Sequence, residues 1–113
     1  MSSRDGQNKK ERYREKLKDE LNLFLRTEIK DPRLTFVSFT KIELANDYSY
    51  ANVYWDTFQT ENKEGIQTAL EKMSGRLRSL LAKVLDVRHT PSLKFIYDNQ
   101  FEAEQEINKL LKE

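Results

Sequence analysis

The chain has 113 residues, 35% of them charged, with no cysteine, three glycines, two prolines and a formal net charge of +1. That length gives one domain, and the lack of cysteine excludes a disulfide framework, a thiol nucleophile and a thiolate metal site. No apolar run approaches the ~20 residues that span a bilayer, and Met1 to Lys10 lacks the apolar stretch of a secretion signal, so a cytoplasmic location without membrane contact is expected.

Residues 1–8 are small and polar and read as a disordered N-terminal tail. From about Lys9 to Lys30, Tyr13, Leu17, Leu21, Phe24 and Leu25 recur at three- and four-residue steps, the signature of an amphipathic helix. Asp31-Pro32 ends it, because proline pushes the preceding residue out of the helical region. Leu34–Leu44 and Tyr48–Phe58 are rich in β-branched and aromatic residues and flank the turn residues Asn46-Asp47, which predicts a β-hairpin. In the second of these runs Ala51, Val53 and Trp55 alternate with Asn52, Tyr54 and Asp56, so one face packs and the other meets water.

Over residues 61–87, Ile66, Leu70, Met73, Leu77, Leu80 and Val84 step by four and three, giving a core-facing helical stripe. Ser74-Gly75 interrupts it, and such pairs are a recognised place for a helix to kink. Two helices meeting at an angle are therefore expected. After His89-Thr90-Pro91, the run Leu93, Phe95, Tyr97 alternates as a third strand, and Asn99–Leu111 reads as a short C-terminal helix. The order is helix, strand, strand, helix-kink-helix, strand, helix. This is an α+β domain, with helices on one face of a three-stranded sheet.

The net charge hides a pattern. Residues 1–16 carry +3, residues 17–71 carry −4, residues 72–94 carry +5 with Asp86 as their single acid, and residues 95–113 carry −3. Attraction to phosphate depends on local potential within a Debye length of ~8–10 Å, not on total charge. On a helical wheel, Lys72, Arg76 and Lys83 fall on one line with Ser79 between them, while Arg78 lies elsewhere. Such a row suits a phosphate backbone. A second helix starting after Gly75 would add the positive end of its dipole, and the glycine would admit a close ligand approach. Arg88, His89 and Lys94 continue the basic zone.

Catalysis finds little support. The chain lacks a P-loop, a dinucleotide fingerprint, the H-E-x-x-H helix and the G-x-S-x-G elbow. Its lone histidine, His89, has neither triad partners nor metal co-ligands in the sequence. The expected protein is a binder with no catalytic residues, metal or cofactor.

Several segments taken in order have a familiar look: Asp31-Pro-Arg-Leu34, Thr40-Lys-Ile-Glu-Leu44, Asp47, Ala51-Asn-Val53, Ser74-Gly75 with Arg78, Arg88-His-Thr-Pro91 and Phe95-Ile-Tyr-Asp98. This ordered set, spread over residues 9–111, resembles the ribosome-binding factor A family of bacteria. The resemblance implies a type II KH-like fold over residues 9–113. It also implies an Ala-x-Gly kink between the central helices in place of the GXXG loop with which KH domains clamp RNA. Here Met73 stands where the family has alanine, and its side chain is expected in the core stripe. The implied role is that of a monomeric, non-enzymatic factor that binds the small (30S) ribosomal subunit, assists late maturation and 16S rRNA processing, and matters in the cold. The implied RNA-binding residues are Ser74, Gly75, Arg76, Arg78, Lys83 and Arg88, to which the charge pattern adds Lys72, His89 and Lys94. The alternative is a protein–protein adaptor acting through Tyr48, Tyr50 and Tyr54 of the hairpin or through the acidic C-terminal helix.

Overall fold

The computed structural model describes residues 2–58, 60–85, 90–99 and 106–111, with the backbone alone for 2–8 and 60. Helix α1 spans Ser2–Thr27 and a 3-10 turn covers Pro32–Leu34. Strands β1 (Val37–Leu44) and β2 (Tyr50–Thr57) form the hairpin. A second 3-10 turn at Thr60–Asn62 leads into helix α2 (Lys63–Val84), and strand β3 is Ser92–Tyr97. Residues 106–111 are helical, within the expected C-terminal helix.

The sheet order is β1-β2-β3, with β1 antiparallel and β3 parallel to the central β2. A parallel neighbour needs a crossover, and α2 supplies it. The alternation read in β2 holds: Ala51, Val53, Trp55 and Thr57 are buried, while Asn52, Tyr54 and Asp56 are not. The buried set meets Leu17, Leu21, Phe24 and Leu25 of α1 and Ile66, Ala69, Leu70, Leu77 and Leu81 of α2 in one apolar core. At its centre lies Trp55, fully buried, its ring 4.9 Å from that of Tyr97. The Trp55 indole N–H donates to Gln67 Oε1 at 2.8 Å, and Gln67 Nε2 donates to the Phe95 carbonyl at 2.8 Å. One amide thereby ties α2 to both β2 and β3 and keeps a buried indole satisfied.

Three boundaries differ from the sequence reading. The helix α1 takes in the stretch from Ser2 that reads as a tail, and it stops at Thr27 rather than Lys30. Leu34 is not the start of β1: Asp31 caps the 3-10 turn by accepting the Arg33 N–H, and that turn holds Leu34 inward. The hairpin turn is tight, with Tyr48 N–H donating to the Ala45 carbonyl at 3.0 Å and Tyr48 itself at φ 63°, so β2 begins at Tyr50.

The larger difference concerns the number of helices. A single 22-residue helix runs through Ser74 and Gly75, so there are not two helices here and no second N-terminus with free amides after Gly75. Gly75 keeps a negative φ, as a residue inside a helix does. The Ser74 hydroxyl donates to the Glu71 carbonyl at 2.8 Å and is spent within the helix. The helical repeat also explains where the stripe departs from expectation. Steps of four and three have a period of 3.5, whereas a straight helix repeats every 3.6 residues and drifts ~20° per heptad. By the last turns burial has passed to Leu77 and Leu81, leaving Leu80 half-buried and Val84 42% exposed. Met73 packs against the core edge, as its place in the stripe implies.

Candidate nucleic-acid interface

Because α2 is continuous, its outer row runs unbroken along one helix. Lys72, Arg76, Ser79 and Lys83 are all exposed. At 1.5 Å per residue the row covers about 16 Å. Among the described residues none of its three cations forms an ion pair with a carboxylate, whereas Lys18 pairs with Glu15, Arg33 with Asp31 and Lys41 with Glu43. The row therefore keeps its charge for a ligand. Arg76 is also positioned: its Nη2 donates to the Glu28 carbonyl at 3.2 Å, just past the end of α1. A cation there also meets the negative end of the α1 dipole.

The other expected residues divide. Arg78 sits two residues from Arg76, roughly 200° round the helix. Its Nε and Nη2 donate to the Thr90 carbonyl at 3.2 and 2.9 Å, fastening α2 to the segment that enters β3. Its charge is unpaired among the described residues, but it lies across the helix from the row. Gly75 is exposed beside the row, and a Cβ there would meet nothing within 4 Å, so close helix–sheet packing does not demand glycine at this position. Ser74 is half-buried with its hydroxyl engaged.

Lys94 is not part of this surface. It pairs in register with Asn52 and points to the sheet face opposite the helices, its Nζ 4.5 Å from the centre of the Tyr50 ring. The strand alternation that buries Phe95 against the helices necessarily turns Lys94 away. Arg88 and His89 lie outside the described residues. Among the described residues no group of His, Asp and Glu gathers that could hold a metal, and no helix is long and apolar enough to cross a membrane.

The adaptor surface is also divided. Tyr50 is 39% exposed and Tyr54 half-buried on the open sheet face. Tyr48 instead stacks on Tyr13 of α1, ring centres 5.4 Å apart. The three tyrosines do not share one face.

Sequence reasoning missed the turn between α1 and β1. Lys30, Asp31 and Pro32 form the wall between two open clefts. One cleft reaches Met73 and Arg76 of α2, and the other reaches Phe36 and Phe58. Arg33 clasps Asp31 through Nη2 at 2.8 Å and Nε at 3.1 Å, and the Arg33 N–H adds a third bond at 2.9 Å. These bonds, with a smaller attraction from Lys72, hold the Asp31 carboxyl below the usual carboxylate range. The signal was in the sequence, since Lys30 and Arg33 flank Asp31-Pro32. It was submerged because residues 17–71 are acidic as a block.

Comparison with known proteins accords with this architecture. The family model described as "Ribosome-binding factor A" matches residues 9–111. A ribosome-binding factor A from Vesicomyosocius okutanii is 42% identical over 101 residues, 89% of this chain and 88% of that protein. The crystal structure of ribosome-binding factor A from Thermus thermophilus superposes with a TM-score of 0.71 at 29% identity, covering 76% of this chain and 91% of that one. A Thermus thermophilus ribosome-binding factor A model fitted into the cryo-EM map of a 30S complex gives a TM-score of 0.64 at 30% identity, covering 74% and 89%. The fold is KH-like, with the central helices merged into one, and the chain belongs to the ribosome-binding factor A family.

Proposed function

We propose that this protein binds the small (30S) ribosomal subunit during late maturation, holding 16S rRNA by its phosphate backbone without catalysing any step. It acts by occupancy: the bound factor stabilises one rRNA arrangement and aids final processing, then leaves. It works in the cytoplasm, as a monomer and without a cofactor. The observation that carries this reading is the row Lys72, Arg76 and Lys83, unpaired with any described carboxylate on one continuous helix. Each phosphate it neutralises would release condensed counterions, so a chain of nearly zero net charge gains a polyanion site. Gly75 lies beside the row, Arg78 lies across the helix from it, and Arg88 and His89 follow α2 in the sequence. Support from relatives is direct in kind, since the Thermus thermophilus factor was fitted into a 30S complex.

The test is co-sedimentation with isolated small subunits at moderate salt. The double variant Arg76→Glu, Lys83→Glu is expected to stay in the supernatant while keeping a cooperative thermal transition. Undiminished co-sedimentation of a folded double variant would refute the reading.

A further inference from the structure

We infer that the cleft between the end of α1 and the outer end of the hairpin is a stacking site for unpaired nucleobases of RNA. This rests on the RNA-binding reading above and extends it from phosphates to bases. Phe36 and Phe58 line this cleft and are 52% and 77% exposed. Their placement follows from the register: Val37 pairs with Thr57, so Phe36 and Phe58 stand one step beyond the last pair of the β1–β2 ladder, on adjoining strand ends. Two large rings that line one cleft, each more than half exposed, form an apolar patch of the kind that marks an interaction site.

The charges around the rings select the occupant. Arg26 and Lys30 line the same cleft and are exposed, and neither forms an ion pair among the described residues. The one acid in the lining, Asp31, is already clasped by Arg33. Aromatic faces beside uncompensated cations suit a single-stranded nucleic acid, whose bases stack while its phosphates meet the cations. A purely apolar peptide would gain nothing from Arg26 and Lys30. The site also joins the proposed track, since Lys30 lines the neighbouring cleft that reaches Arg76. A strand held along α2 could run across Lys30 and set its next bases against the two rings. Every base has a π face, so the site reads unpairedness rather than sequence.

The test uses the full chain with two probes: a single-stranded 12-mer oligoribonucleotide carrying one 2-aminopurine, and a fully paired RNA duplex of the same length. The Phe36→Leu, Phe58→Leu double variant keeps apolar bulk and loses both rings. It is expected to bind the single strand about tenfold more weakly, to bind the duplex as the unsubstituted protein does, and to lose the 2-aminopurine quenching that stacking produces. Phe58→Trp is expected to keep or strengthen the quenching. Arg76→Glu, Lys83→Glu is expected to weaken both probes. If the leucine variant binds and quenches like the unsubstituted protein while the charge-reversed variant binds weakly, the stacking site is wrong and the phosphate row stands. Equal loss of both probes in the leucine variant also overturns it. If the unsubstituted protein binds neither probe at low salt, or the leucine variant loses only an apolar protein partner, the nucleobase assignment falls; in the first case the RNA-binding reading falls with it.

Discussion

Asn22 pairs with Phe39 as a neighbouring strand would. Its Nδ2 donates to the Phe39 carbonyl at 3.0 Å, and its Oδ1 accepts the Phe39 N–H at 2.8 Å. β1 is an edge strand, and Phe39 precedes the register shift at Thr40. Unpaired edge groups are a liability that proteins cover. Here a helix side chain does the covering, and it fixes α1 against the sheet.

Replacing Asn22 by leucine leaves both Phe39 groups without that partner. Each orphaned, partly buried group costs about 1–3 kcal/mol. Asn22→Leu is expected to lower unfolding stability in urea by at least ~1 kcal/mol, and Asn22→Asp, which keeps the acceptor, by less. A leucine variant as stable as the parent would show that water serves Phe39 equally well.

Gly75 is expensive where it stands. Glycine in a helix interior costs roughly 1 kcal/mol against alanine, and nothing in the fold requires it, because a Cβ would meet open space. Gly75→Ala is expected to raise stability by about 0.5–1 kcal/mol and to weaken small-subunit binding, since the added methyl stands beside the cation row. A stabilised variant that binds unchanged would assign Gly75 no part in the interface.

Asp31 gives a pH dependence with a definite sign. Hydrogen bonds from Arg33 lower its pKa in the folded state. A lowered pKa means that the stabilising contribution is complete above the unfolded value of about 4. It is lost as pH falls through the folded value. Asp31→Asn is therefore expected to trail the parent in thermal midpoint by a constant margin at pH 5–7, and the margin is expected to close below about pH 4. A margin that persists unchanged at pH 2.5 would assign the effect to the cap geometry rather than to the charge.

Much of the fold was legible because its signals are local. The β2 alternation and the α1 stripe each follow from neighbouring residues, and each holds. The Ser74-Gly75 pair is not a helix boundary, because glycine lowers the cost of a break without imposing one, and α2 runs through it. The site was legible where helical spacing alone set it, at Lys72, Arg76 and Lys83. It was not legible where tertiary partners set it. The Arg78 guanidinium turned to the Thr90 carbonyl, Lys94 went to the far side of the sheet with its strand's pleat, and Phe36 and Phe58 share a cleft only through hairpin register.

The most direct test of the phosphate row is the salt dependence of small-subunit affinity. Each phosphate contact contributes a slope of about −0.7 to −0.9 in log K against log salt. The parent is expected to bind with a steep negative slope, and Arg76→Gln, Lys83→Gln to flatten it by about 1.5, with the thermal transition retained. A double variant with the parent's slope and affinity would contradict the account.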